Sequence, residues 1–294
     1  MFLYDNTIVS ENQLVVDTIP ENFVEEAISY NKELLQGYLT ATTEMIELIN
    51  AHDGMDNVVT EAFDDFMDRV LAFLREFKAK VIVLFRRWVD WISKKLSGVG
   101  RYRIEAAKAL FKDATKCRNL AGFRFELTEP TDFGFTYFQE LDKPNFPYQV
   151  IDKAIEINAN CRKGKDFDQD AQKMRDHFQR ETNSYLNGSK MTEVTIRDLE
   201  NIVGLLDNAD KKLAKYKNTI TDAISAIEKE AKTLKKLGLT FGKAASNAML
   251  VLVTCLNEHL TAMSSNFAAF VNRITTITAE FLPRAEEYLI AQDN

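Results

Sequence analysis

An apolar residue recurs at every seventh position through one long stretch of this chain. The repeat consists of Leu199, Leu206, Leu213, Ile220, Ile227 and Leu234, with Ile202, Ala209, Tyr216 and Ala223 at the intervening seam positions. Because an α-helix completes a turn in 3.6 residues, this period places all these side chains on one face. The repeat therefore predicts a long helix that packs against another helix. Ala and Tyr at the seam favour a partner helix in the same chain, with a coiled coil between two chains as the alternative.

Two further segments carry the spacing of three and four residues that indicates amphipathic helices. The stripe of 58–96 is Phe63, Phe66, Val70, Phe73, Phe77, Val81, Leu84, Trp88 and Trp91. The last helix follows breaks at Gly238 and Gly242. Its stripe is Met249, Val253, Leu256, Leu260, Met263, Phe267, Phe270, Ile274, Ile277 and Phe281. The face over 244–272 is nearly free of charge, which predicts burial on more than one side, within a bundle or at a subunit interface.

Shorter helices are expected at 20–50, 101–121, 148–161 and 166–186, where similar spacings occur. Few helix breakers interrupt the chain, which contains 11 Gly and 5 Pro. Thr192 is expected to cap the start of the helix that carries the heptad repeat, because a threonine hydroxyl can accept a hydrogen bond from the first turn.

The segment 122–148 differs from the rest of the chain. Apolar and polar residues alternate from Phe123 to Leu127, and three prolines follow, so we predict a small β-hairpin or an ordered aromatic loop. Its aromatic side chains are candidate partner contacts, together with two from the last helix. These candidates are Phe133, Phe135, Tyr137, Phe138, Phe267 and Phe270. The alternative is that the aromatic segment plugs an edge of the core.

The sequence thus predicts a mainly α protein: an elongated bundle of long amphipathic helices with a small β-hairpin or aromatic loop insert. We expect an N-terminal helical region at 1–121, the insert at 122–148, and a C-terminal long-helix or coiled-coil region at 149–294. These three regions are expected to fold as one cooperative unit.

Charge is unevenly distributed along the chain. Residues 1–68 include fifteen Asp or Glu and one lysine, whereas 94–118 carries eight Lys or Arg against two acidic residues. The basic stretch is a candidate for contact with phosphates. Its candidate contacts are Lys94, Lys95, Arg101, Arg103, Lys108 and Lys112. The alternative is that the acidic and basic segments pack side by side. The net charge of −7 argues against attraction of the whole molecule to nucleic acid or anionic lipid.

No arrangement of residues in the sequence nominates a reaction. His52, His177 and His259 are isolated, and the three cysteines lie far apart without a C-x-x-C motif. We predict no catalytic residue, cofactor or metal site, and a protein made in reducing cytoplasm. The N-terminus lacks the features of a signal peptide, and no apolar run reaches about 18 residues, so we expect no transmembrane helix.

The chain resembles internal or structural virion proteins of large tailed bacteriophages. The resemblance lies in the heptads at 199–234, the aromatic insert and the helix at 61–96, EAFDDFMDRVLAFLREFKAKVIVLFRRWVDWISKKL. It implies a non-enzymatic protein carried in or on the particle in many copies. Its partners would be further copies and other structural proteins, with nucleic acid as an additional partner through 94–118.

Three rival functions remain open at the level of sequence. A helical pore-forming protein would use 244–272 and the Phe/Trp helix at 58–96 to enter membranes. The mixed charge on the polar face of the Phe/Trp helix is instead typical of the solvated face of a core helix. A soluble coiled-coil adaptor would use the heptads to form a small dimer. An enzyme could assemble its site from scattered residues, and loss of activity on changing His177 or His259 would support it.

Overall fold

The computed structural model describes residues 56–95, 99–163, 168–206, 209–237 and 239–293. Nine helices lie in these ranges: α1 (Asp56–Lys95), α2 (Val99–Lys112), α3 (Ala114–Asn119), α4 (Phe135–Asp142), α5 (Phe146–Cys161), α6 (Asp168–Leu186), α7 (Ile196–Leu206), α8 (Ala209–Leu237) and α9 (Leu239–Asp293). Two strands, β1 (Phe125–Asp132) and β2 (Lys190–Val194), form a small sheet. The mainly helical class is confirmed. The predicted helix at 20–50 lies outside the described residues.

The helices α1 and α8 form an antiparallel pair. Asp68 bridges Lys235 at 2.6 Å, and Arg75 bridges Glu228 at 3.1 Å. Farther along, the rings of Phe85 and Tyr216 lie 6.1 Å apart. Residue numbers rise along one helix as they fall along the other, so the two run in opposite directions.

The heptad residues face the interior of the same chain. All ten repeat and seam residues are buried. In this structure the repeat therefore packs against helices of the same chain rather than being left exposed for a coiled coil between two chains. The repeat is described in two helices, α7 to Leu206 and α8 from Ala209, and residues 207–208 between them lie outside the described residues. Helix α7 packs against α2, and α8 packs against α1, α5 and α9.

The helix expected at 101–121 is divided at Asp113. Asp113 ends α2 and caps α3, because its carboxylate accepts hydrogen bonds from the backbone N–H groups of Thr115 and Lys116 at 3.0 and 3.1 Å. The expected break at Gly242 was wrong. That glycine lies inside α9, which begins at Leu239. A glycine within a helix costs only about 1 kcal/mol relative to alanine, and core residues such as Ala245 and Met249 follow it.

The predicted hairpin within 122–148 was wrong. Strand β1 pairs in antiparallel fashion with β2, matching Phe125 with Val194 and Asp132 with Lys190. The remainder of the segment forms α4, which follows Gly134 in the left-handed region at φ 69°. A single alternating strand does not specify its partner, and here the partner lies about 60 residues later in the chain.

The expected helix start at Thr192 was wrong as well, because 190–194 is strand β2. The following helix is capped by Thr195 instead. Its hydroxyl oxygen accepts a hydrogen bond from the backbone N–H of Asp198 at 3.2 Å, and the Asp198 carboxylate accepts one from the Thr195 N–H at 2.9 Å. This reciprocal arrangement satisfies two N–H groups that the helix itself leaves free.

Helix α9 packs against α2, α5, α6 and α8. All ten residues of its predicted stripe are buried. Buried polar residues on the same helix satisfy their hydroxyls locally: Ser264 and Thr278 donate to carbonyls four residues earlier, at 2.6 and 2.8 Å. Burial of this helix on more than one side, the within-bundle alternative, is confirmed.

Candidate functional site

The aromatic residues predicted to contact a partner lie inside the core. Phe133, Tyr137, Phe138, Phe267 and Phe270 are each at most 2% exposed. Their rings pack on one another, with 4.3 Å between the ring centres of Phe138 and Phe270. Phe135 is half-buried against the same cluster. The structure therefore corrects the prediction: these large apolar rings join α4 to α9, as the core-plug alternative proposed.

The basic stretch extends from the end of α1 through α2 and α3. Lys94, Arg101 and Lys112 are exposed, whereas Arg103 and Lys108 are half-buried. Lys108 lies 3.7 Å from Glu105 in an ion pair. The side chain of Lys95 lies outside the described part of the structure, as do residues 1–55, so the proposed packing of the acidic segment against this stretch stays a prediction.

Sequence reasoning missed a polar centre where α5, α6, α8 and α9 meet. His259 of α9 is fully buried. Its Nε2 atom lies 2.6 Å from the Tyr216 hydroxyl, and its Nδ1 atom lies 3.0 Å from the Thr182 hydroxyl. The Phe146 ring stacks on the imidazole at 3.8 Å with the two planes 5° apart. One histidine thus touches three other helices.

The local sequence explains why these side chains point inward. Tyr216 occupies a seam position of the heptad repeat, so the period that buries its neighbours also buries its ring. His259 lies between the buried residues Leu256 and Leu260. A histidine within the nearly uncharged stretch of α9 and a tyrosine at a heptad seam position were the available signals. Neither pattern predicts that the two residues come together.

Burial governs the protonation of this centre. It lowers the pKa of His259 to about 3 and raises the pKa of Tyr216 well above its ordinary value. Both groups are therefore neutral near pH 7. One nitrogen of a neutral imidazole donates and the other accepts, which the two hydroxyls can satisfy. The arrangement is suited to holding helices together, and its burial leaves no access for a substrate.

A second polar group, Glu140, adjoins the centre. Its carboxylate is 2% exposed and accepts hydrogen bonds from the backbone N–H groups of Asn145 and Phe146, at 3.0 to 3.1 Å. The carboxylate thereby satisfies two backbone N–H groups at the N-terminal end of α5. Burial raises the pKa of Glu140 to about 7, although the hydrogen bonds from Asn145, Phe146 and Tyr185 act in the opposite direction. Phe146 contacts both residues: its backbone N–H donates to the Glu140 carboxylate, and its ring stacks on His259.

Two grooves border α6. The larger, of about 490 Å³, lies between α5 and α6 and includes the exposed His177. The smaller, of about 230 Å³, lies between α6 and α9 and includes Thr182 and Cys255. Burial raises the pKa of Cys255 to about 12. Its thiol is consequently protonated at neutral pH and is a poor nucleophile.

No group of three or more His, Cys, Asp or Glu in the described ranges is arranged to hold a metal ion. None of the described helices combines the length and apolar character needed to cross a membrane. The sequence matches no protein-family model and no curated protein, and the fold matches no solved structure.

Proposed function

We propose that this protein is a non-enzymatic structural protein that assembles through helix-mediated contacts, as a component of a tailed-bacteriophage virion. The observation that carries the assembly role is an exposed apolar pair on α5. Tyr148 is 54% exposed and Ile155 is 51% exposed. Single exposed apolar residues are ordinary on a protein surface, whereas two on one helical face form a short apolar strip that a partner helix could cover.

The geometry of α5 places this pair away from the core. Val150, Ala154 and Ile157 are buried against the rest of the protein. Tyr148 and Ile155 are seven residues apart, so they share the outward side of the helix. We call the surface formed by these two residues the α5 face.

The groove of about 490 Å³ lies beside the α5 face. One wall consists of Gln149, Asp152, Lys153 and Glu156 of α5, and the other of Lys173, Met174, His177 and Phe178 of α6. A helix laid along such a groove contacts it through residues three, four and seven apart. Tyr148 and Ile155 of the α5 face are seven residues apart, so the α5 face of a second copy has this spacing. Another copy of the chain is therefore the expected partner.

The lengths of the helices support a structural role. Helix α9 has 55 residues, which corresponds to about 80 Å at 1.5 Å per residue. A compact sphere of this chain length would be about 50 Å across. We therefore propose an elongated bundle, whose long sides would offer lateral contacts to neighbouring copies.

Light scattering after size exclusion, over a concentration series, tests the assembly role. We expect the wild-type protein to form a discrete oligomer or to grow with concentration. Ile155→Lys should shift it toward monomer, because lysine would place a charge in the contact. The matched control is Val83→Lys on α1, where the side chain is 44% exposed. A wild-type monomer at all concentrations, or equal loss of assembly in both variants, would overturn the proposal.

The virion location requires a separate measurement. Quantitative mass spectrometry of purified particles should find this chain at many copies per particle. Its absence from particles, combined with an oligomer in solution, would retain the assembly role and remove the virion assignment.

A further inference from the structure

Basic side chains are concentrated on α2 and α3, where 99–119 carries six Lys or Arg against two acidic residues. Several basic side chains elsewhere join helices, as Lys235 does with Asp68, Arg75 with Glu228 and Lys212 with Asp142. Within the described ranges, five basic side chains of α2 and α3 form no ion pair or hydrogen bond. They are Arg101, Arg103, Lys112, Lys116 and Arg118. We call Arg101, Lys112, Lys116 and Arg118 the α2–α3 basic face.

The helix period brings two of these residues together. Arg101 and Lys112 are eleven residues apart, about three turns, so they lie on one side of α2. This side leads to α3, which packs against α2 and carries Lys116 and Arg118. All four residues of the α2–α3 basic face are exposed, whereas Arg103 is half-buried and lies on another side of α2.

The acidic residues within the same two helices are already occupied. Glu105 pairs with Lys108, and the Asp113 carboxylate accepts from the backbone N–H groups of Thr115 and Lys116. Burial raises the pKa of the Cys117 thiol on α3, and the negative charge of Glu200 on α7 raises it further. Glu200 therefore lies close to α3. These contacts leave the four cations of the α2–α3 basic face available to an external anion.

An exposed aromatic ring accompanies the cations. Tyr102 is 63% exposed and lies between Arg101 and Arg103 in sequence. No other large apolar side chain in 99–119 is exposed among the described residues. A membrane-binding surface would combine its bases with several exposed apolar side chains that enter the lipid. A single flat ring beside cations instead fits a nucleic acid, in which the phosphates pair with cations and a base can stack on the ring.

We propose that the α2–α3 basic face binds the phosphodiester backbone of nucleic acid, with Tyr102 as a stacking platform for an unpaired base. This inference goes beyond the assembly role and does not depend on it. It predicts local binding by a protein whose net charge of −7 disfavours general attraction to nucleic acid. Single-stranded oligonucleotides should bind more tightly than duplexes, because only their bases are free to stack.

Fluorescence anisotropy with the full chain and a labelled mixed-sequence oligonucleotide, single-stranded or duplex, tests the inference. If all four residues of the α2–α3 basic face meet phosphates of duplex DNA, affinity should fall roughly 150-fold between about 50 and 200 mM salt. Arg101→Gln, Lys112→Gln and Arg118→Gln combined should weaken binding at low salt and reduce that dependence to about 3.5-fold. Tyr102→Ala should weaken single-strand binding by about tenfold or more and leave the salt dependence unchanged.

The matched control replaces three exposed lysines of α8, as Lys211→Gln, Lys229→Gln and Lys236→Gln combined. It changes the net charge by the same amount at a different place and should retain binding. Circular dichroism establishes that each variant is folded, and single substitutions replace any combination that is not.

Several outcomes would overturn the inference. They are no binding at low salt, equal losses in the triple variant and its control, and binding to phosphatidylserine vesicles without binding to either oligonucleotide. The light-scattering experiment distinguishes this failure from failure of the assembly role, because oligomer formation can persist without nucleic-acid binding.

Discussion

The Tyr216 hydroxyl lies 2.6 Å from Nε2 of His259, and both side chains are fully buried. The two residues come from α8 and α9, while Thr182 of α6 meets the other ring nitrogen. A buried polar atom that loses its partner cannot recover the hydrogen bond from water. The pair therefore makes the packing of three helices depend on one hydrogen-bonded geometry.

Replacing Tyr216 by phenylalanine should destabilise the protein by about 1–3 kcal/mol. The ring would keep its packing against Phe85, but Nε2 of His259 would lose its partner in an apolar setting. Urea unfolding followed by circular dichroism measures the change. Tyr102→Phe is the control, since its 63% exposed hydroxyl can bond to water. An equal, small effect in both variants would show that the interior hydrogen bond contributes little.

Glu140 should make stability fall as pH rises. Its pKa is raised from 4.5 to about 7 in the folded protein, so the folded state binds the proton more tightly than the unfolded chain. The associated stability is fully present below pH 4.5 and is lost as pH rises through 7, a change of about 3 kcal/mol. Unfolding of wild type and Glu140→Gln in urea from pH 4.5 to 8 measures the difference. Glu129→Gln, at an exposed position, should show no such trend, and a constant difference for Glu140→Gln would contradict the prediction.

His259 should act in the opposite sense. Its pKa is lowered from 6.5 to about 3, so its contribution is present above pH 6.5 and is lost as pH falls toward 3. Each group changes stability by up to about 1.4 kcal/mol per pH unit. Their effects should therefore nearly cancel between pH 4.5 and 6.5 in the wild type. Glu140→Gln should reveal a decline on acidification below pH 6.5, and a flat profile for that variant would argue against a buried neutral histidine.

Single substitutions in the heptad repeat should lower stability more than substitutions at exposed positions. Ile220 is a fully buried repeat residue of α8, so Ile220→Ala should cost about 2–5 kcal/mol through lost burial and a residual cavity. Val83→Ala on the exposed side of α1 should remain within about 0.5 kcal/mol. Urea unfolding gives both values. A small effect at Ile220 would mean that the α1 and α8 pair relaxes to fill the space.

The helices were predictable because burial imposes a period on the sequence. The stripes of 58–96 and 249–281 correspond to α1 and α9, and every heptad residue from Leu199 to Leu234 is buried. Interruptions were harder to locate. Asp113 stops a helix through two side-chain hydrogen bonds, whereas Gly242 does not stop one, and neither outcome follows from residue type alone.

The functional surfaces were less predictable because sequence does not show which side of an aromatic segment faces the core. Phe138 and Phe270 pack together although they are distant in the chain. Tyr148 and Ile155, which form the exposed α5 face, have the same helical spacing as core residues. The polar centre depends on contacts between Tyr216, His259 and Thr182 from three helices, which no local pattern encodes.

Asp132 should be a determinant of the long-range β1 and β2 pairing. Its carboxylate accepts hydrogen bonds from the backbone N–H of Gly134 at 2.7 Å and of Gly188 at 2.8 Å. It therefore ties the end of β1 to the turn before β2. Asp132→Ala would remove both acceptors and should cost about 1–3 kcal/mol. Hydrogen exchange at the Gly188 amide should accelerate in the same variant.

Glu129→Ala, on the exposed part of β1, is the matched control and should leave both measurements nearly unchanged. Gly188→Ala should reproduce the destabilisation by a different route, because an added Cβ would lie 2.6 Å from the Asp132 carboxylate. Unchanged Gly188 exchange in Asp132→Ala would show that the strand pairing is held by its backbone ladder alone.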